Sequence, residues 1–306
     1  MKTTIVSFIL IYTCVLAGQA QQNPLYSQYM FNTLAVNPAY AGSRNVVSAT
    51  GLYRNQWSGM EGSPRTATFT IDAPFSQKRF GVGLQVFNDE LGVTETTGGV
   101  LSYAYRIRME KSTLSFGIQG TAGQYRARLS SVILEPGGMS DDPAFRNDIN
   151  EFFYNFGTGI YYNSDRFYAG LSSPQFLNKR VNDSTATTGL FNVPHLYLAS
   201  GYVFPITSDL NLKPSFLLKA VQGAPVQGDV NLTLWIKDLF AIGGQYRSSA
   251  DVAGMIEIQA TPQFRLGYSY DYSLTSLRNY NSGSHEIMLR FEFGYDRQKF
   301  ISPRYF

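Results

Sequence analysis

Residues 263–272 read Gln-Phe-Arg-Leu-Gly-Tyr-Ser-Tyr-Asp-Tyr. In an extended strand, successive side chains point to opposite faces. Phe264, Leu266, Tyr268, Tyr270 and Tyr272 therefore share one face, and Arg265, Gly267, Ser269 and Asp271 share the other. The same logic recurs along the chain. Val230, Leu232, Leu234 and Ile236 alternate with polar residues or Trp235, as do Leu101, Tyr103, Tyr105 and Ile107 with Ser102, Ala104, Arg106 and Arg108. Phe240 to Tyr246 and Ile287 to Phe293 repeat it. A face built from tyrosine as much as from Val or Ile suits contact with lipid and its interface, where amphipathic rings concentrate.

The first residues set the compartment. Lys2, the apolar run Ile5–Ala17 and Gly18-Gln19-Ala20 form the pattern of a secretory signal peptide over 1–20, with cleavage expected after Ala20. The run is shorter than the roughly 18 residues a spanning helix needs. Cys14 is the single cysteine and leaves with the signal, so neither a disulfide framework nor a thiolate metal site is expected. Aromatic residues make up 15% of the chain, with 21 Tyr and 22 Phe, and charged residues only 15%. The remaining polarity comes from Gly, Ser, Thr, Asn and Gln, which suit a wet lumen. A net charge of +3 gives no footprint for nucleic acid.

From Val46 the chain reads as about 14 short strands (12–16), the pattern of an all-β protein. They are expected near 46–53, 66–73, 80–88, 100–108, 113–125, 153–163, 166–173, 195–204, 210–221, 229–236, 239–247, 252–260, 264–272 and 286–295. Connections after even-numbered strands are short. Those after odd-numbered strands are mostly long: Arg54–Arg65, Asp89–Gly99, Ala127–Phe152, Pro174–Pro194, Gln222–Gly228 and Ser273–His285. Ser248–Asp251 departs from the rule. Sorting by parity predicts a transmembrane outer-membrane β-barrel with both termini periplasmic. Charges such as Arg106, Arg247, Arg265, Asp271 and Arg290 then belong to the lumen, since a charge facing lipid costs roughly 2–4 kcal/mol near the midplane.

The domain reading is a signal peptide at 1–20, an N-terminal periplasmic segment or plug at 21–45, a barrel at 46–295 and a C-terminal tail at 296–306. The segment holds Tyr26, Tyr29, Met30, Phe31, Leu34 and Tyr40 but is broken by Pro24, Pro38 and Gly42. It is too apolar to hang free, so it packs at the periplasmic mouth or inserts into a lumen too wide for the wall's side chains to fill. Its aromatic residues also suit a docking surface for periplasmic machinery. The tail is a periplasmic appendage or an extension of the last strand.

No catalytic, cofactor or metal constellation is expected. His195 and His285 are the only histidines, and no nucleophile elbow or metal-ligand spacing accompanies them. Asp141-Asp142 with Asp148 offers carboxylates for calcium or a solvated loop. Trp57 with Arg54 suits a partner anchor or an aromatic girdle.

Gln28 to Gly42 reads Gln-Tyr-Met-Phe-Asn-Thr-Leu-Ala-Val-Asn-Pro-Ala-Tyr-Ala-Gly, followed by Leu52-Tyr53-Arg54-Asn55-Gln56-Trp57. With Asn88-Asp89-Glu90-Leu91-Gly92 and the terminus Ser302-Pro303-Arg304-Tyr305-Phe306, this resembles the PorP/SprF family of type IX secretion outer-membrane proteins. Thr33 stands where many members have proline. The resemblance implies a non-enzymatic role in exporting and surface-anchoring large adhesins, including those of gliding motility. It implies recognition of a cargo C-terminal domain and association with a periplasmic ring lipoprotein. Partner-binding candidates on this basis are Tyr26, Gln28, Tyr29, Met30, Phe31, Asn32, Asn37, Pro38, Tyr40, Gly42, Arg54, Trp57, Arg304, Tyr305 and Phe306. The competing reading is a diffusion porin or small-molecule transporter of the outer membrane.

Overall fold

The computed structural model describes residues 26–132, 145–177, 179–181, 189–192, 194–221, 224–248 and 250–293. The expected signal peptide, the tail with Arg304, Tyr305 and Phe306, and Asp141-Asp142 lie outside them.

Strands β1 (Val47–Asn55), β2 (Arg65–Phe75), β3 (Phe80–Leu91) and β4 (Thr94–Arg108) form an antiparallel meander, continued by β5 (Ser112–Ala127), β6 (Ile149–Ser164) and β7 (Phe167–Ser173). Then come β8 (Lys179–Val181) and β9 (Gly189–Asn192), which pair with each other outside the main sheet. Next is β10 (His195–Tyr202), interrupted at Val203 and resumed as the two-residue β11 (Phe204–Pro205). Both pieces pair with β12 (Leu210–Val221), so they act as one strand. The meander ends with β13 (Gln227–Ile236), β14 (Phe240–Arg247), β15 (Asp251–Gln259), β16 (Phe264–Ser273) and β17 (Ser284–Phe293). β17 pairs with β1, from Val47 opposite Phe293 to Asn55 opposite His285. The result is a closed 14-strand antiparallel barrel, with no free sheet edge along that seam.

The alternation sorts as the sequence predicts. In β16, Gly267, Ser269 and Asp271 are buried inside while Leu266, Tyr268, Tyr270 and Tyr272 face out. β1 and β10, whose sequences alternate poorly, do so in burial: Ser48, Thr50, Leu52 and Arg54 point inward from β1, and His195, Tyr197 and Ala199 from β10. The exterior is an apolar band bordered by rings. At the short-turn end, Phe75 stacks on Phe80 at 5.3 Å and Tyr202 lies 4.5 Å from Phe204. At the long-loop end, Tyr268 and Tyr270 flank His285, whose Nδ1 lies 2.7 Å from the Tyr268 hydroxyl. Apolar band and aromatic borders are the exterior of a membrane barrel.

One expected long loop is absent. Asp89–Gly99 is a continuation of β3 and β4, paired from Asn88–Thr97 to Leu91–Thr94 and closed by Gly92 at φ 58°. The stretch lacks apolar alternation, yet main-chain pairing needs none. With β4, β5 and β6 at 15, 16 and 16 residues against 7 in β7 and 8 in β10, one side of the barrel is much taller. A span needs only about 9–11 residues. At the long-loop end, Ser58 N–H donates to Gly283 at 2.7 Å and Ser282 N–H to Ser58 at 2.8 Å, tying the β1–β2 and β16–β17 loops together.

Candidate functional site

The site is the lumen, and its occupant is the chain's own segment 26–46. Tyr26 to Leu34 and Val36 to Arg44 are all buried. The segment begins level with the long-loop end and descends to the short-turn end, where it becomes β1. Two short 3₁₀ turns, Thr33–Ala35 and Pro38–Tyr40, are all the regular structure it forms. Asn37 caps the second by accepting the Ala39 N–H at 3.0 Å, and Pro38 holds the first position, where no N–H is needed. Gly42, at φ 69°, turns the chain toward β1.

Its upper end is fixed by charge. Arg54 on β1 reaches Asp271 on β16 at 2.7 Å and Glu286 on β17 at 3.1 Å, all three fully buried. The backbone N–H groups of Ser27 and Gln28 donate to the two Glu286 oxygens at 2.9 and 2.8 Å. The Ser27 hydroxyl donates to Asp271 and accepts from Arg54. A buried carboxylate is tolerable when its lone pairs are matched by a cation and donors, and here the segment supplies the donors.

Further down, contacts go to every side of the barrel. Tyr26 hydroxyl meets Thr68 on β2, and Thr70 donates to Asn32 at 3.2 Å. On the opposite wall Asn231 donates to the Tyr29 hydroxyl at 2.8 Å, and Lys213 lies over the Phe31 ring at 5.7 Å. Ser172 donates to the Val36 carbonyl at 2.7 Å, and Asn37 donates to the Ile160 carbonyl at 3.0 Å. Gly42 donates to Asp72 at 2.8 Å and accepts from Arg106 at 2.6 Å. At the bottom Arg44 pairs with Glu292 at 2.7 Å.

The wall is carved to receive it. A β carbon on inward-facing Gly81 would collide with the Ala41 carbonyl, one on Gly117 with the Ala39 backbone, and one on Gly159 with the Asn37 amide oxygen. One on Gly170 would lie 2.8 Å from Asn37 Nδ2, and one on Gly83 2.9 Å from Leu34. Inward glycines on four of the five adjacent strands β3–β7, all but β4, thus form the bed of the Asn-Pro-Ala-Tyr-Ala-Gly turn. Ala104 on β4, fully buried, completes it.

The residues named from sequence fall into three groups. Tyr26, Gln28, Tyr29, Met30, Phe31, Asn32, Asn37, Pro38, Tyr40 and Gly42 face the lumen wall, so the surface they offer in this arrangement is already occupied. Arg54 belongs to the same lumen cluster, while Trp57 sits half-buried in the β1–β2 loop with its backbone N–H donating to the Ser284 hydroxyl at 3.1 Å. Arg304, Tyr305 and Phe306 lie outside the described residues. Of the calcium candidates, Asp148 accepts the Ser130 N–H and hydroxyl at 3.0 and 2.8 Å, a loop-pinning role. Sequence reading missed the glycine bed and the Asp72 and Glu286 acceptors, and placed Asp271 in the lumen without its partners. The signal was present as glycine or acid at inward positions of otherwise apolar strands.

The model of the type IX secretion system membrane protein PorP/SprF family matches residues 18–291. The chain belongs to the PorP/SprF family. It is an integral outer-membrane β-barrel of type IX secretion. Solved barrels are similar at low identity. A toluene transporter of Ralstonia pickettii has 10% identity and a TM-score of 0.49, covering 86% of this chain and 92% of its own. The Acinetobacter baumannii outer membrane protein Omp33 has 9% identity and a TM-score of 0.47, with 81% and 98% covered. The NanC porin has 13% identity and a TM-score of 0.42, with 80% and 98% covered. No protein of curated function matches the sequence.

Proposed function

We propose that this PorP/SprF protein is a non-enzymatic platform of type IX secretion that works as a closed barrel rather than as a conduit. The observation carrying the reading is the lumen segment. A diffusion pore needs an open path, whereas here 26–46 is buried along its length and hydrogen-bonded to β2, β6, β7, β13 and β17. With the interior committed, recognition falls to the two ends. The tall β3–β6 wall and the long loops after β5 and β7 meet the C-terminal domain of a large adhesin-type cargo, which the protein helps to export and anchor for gliding motility. The short-turn face meets the periplasmic ring lipoprotein and its associated components.

Gene deletion separates this reading from a porin. Loss of one large surface protein with unchanged uptake of small solutes is the expected result. An intact surface inventory with impaired uptake would overturn the proposal.

A further inference from the structure

The exterior of the barrel carries a concave site among its ridges. A groove of about 560 Å³ crosses β17, β1, β2, β3 and β4 on the lipid-facing side, toward the long-loop end. That volume lies within the roughly 300–1,000 Å³ of small-molecule sites. Gly51 and Ala67 form its floor, and Tyr53, Phe69, Ile287 and Leu289 its walls. Register places these residues together: Gly51 lies opposite Phe69 on one side and Leu289 on the other, and Tyr53 lies opposite Ala67 and Ile287. The floor is open because a β carbon on Gly51 meets nothing within 4 Å. The wall side chains are 46–49% exposed, so the depression faces the bilayer.

The rim at the long-loop end is polar and carries both charges. Asn88 and Thr97 close the groove, with Thr97 donating to Asn88 at 2.6 Å. One outward position further along the strands, Arg65 lies opposite Glu90, and Glu90 opposite Glu95. Arg65 and Glu90 are exposed, and Asn88 donates to Glu90 at 3.2 Å. Apolar groove and mixed-charge rim together match one amphiphile: an acyl chain below, a phosphate beside Arg65 and an ammonium beside Glu90 and Glu95.

We propose that this groove is a specific seat for one acyl chain of a zwitterionic phospholipid, whose headgroup rests on Arg65, Glu90 and Glu95. The site is continuous with the lipid-facing band, which argues for lipid over a protein partner. The glutamates disfavour a headgroup that carries phosphate without an amine.

The full-length protein, extracted from its native membrane in mild detergent, is weighed by native mass spectrometry. The expected spectrum shows one bound phospholipid with an amine-bearing headgroup. Gly51→Leu fills the floor and lowers the bound fraction about tenfold or more, a loss of roughly 1.4 kcal/mol or more. Arg65→Gln lowers it less. Gly120→Leu, at another outward glycine with open space, leaves it unchanged. If Gly51→Leu does not fold, judged by heat-modifiable migration, Ala67→Leu makes the same test. No adduct on the wild type, a glycolipid or protein adduct in its place, or equal retention by Gly51→Leu would overturn the proposal.

Discussion

Gly81 on β3 and Ala41 in the lumen segment approach so closely that no β carbon fits between them. The obstacle on the Ala41 side is a backbone carbonyl, which cannot rotate away as a side chain would. Gly81→Val therefore costs more than the roughly 1–3 kcal/mol typical of overpacking, and Gly117→Val, facing the Ala39 backbone, behaves alike. The strain is relieved when the segment lifts off the wall. Limited proteolysis will then cut within 26–46 in both variants, at protease levels that leave the wild type intact. Gly120→Val, outward and unobstructed, remains resistant.

The Arg54 cluster makes a separate prediction. Asp271 and Glu286 share this guanidinium at 2.7 and 3.1 Å in a fully buried setting. Arg54→Met strands two carboxylates, and breaking a buried pair costs about 3–5 kcal/mol. Adding Asp271→Asn and Glu286→Gln removes the stranded charge and restores much of the loss. Thermal unfolding in detergent across single, double and triple variants measures this coupling. Additive losses would show that the three groups act independently.

How far the chain could be read in advance follows from where each contact lies in sequence. Period-two alternation is local, so Leu266, Tyr268, Tyr270 and Tyr272 declared their face without any partner. Turn residues are local too, and they placed the strand ends within a few residues. The β3–β4 extension was hidden because Thr94–Gly99 lies beyond the apolar band, where pairing proceeds without a hydrophobic signature. The lumen site is non-local. Ser27 meets Glu286, and Asn37 meets Ile160, through closures that strand pattern cannot foretell. Arg54 illustrates the gap: its position on an inward-facing register was legible, but its partners Asp271 and Glu286 lie more than 200 residues away in sequence.

The lipid-facing assignment predicts position-dependent costs. Ile118 is 62% exposed on the outer face, midway along β5. Ile118→Arg places a guanidinium against hydrocarbon at about 2–4 kcal/mol if near the midplane. Reversible folding into lipid vesicles measures it. Ile118→Arg at no measurable cost would argue against a membrane-spanning β5.

The central claim is that 26–46 closes the barrel, and single-channel recording in planar bilayers tests it most directly. The wild-type protein is expected to stay closed, while a variant lacking Tyr26–Ala41, with folding verified by heat-modifiable migration, opens stable conductance steps. A folded deletion variant that conducts no better than the wild type would contradict the account.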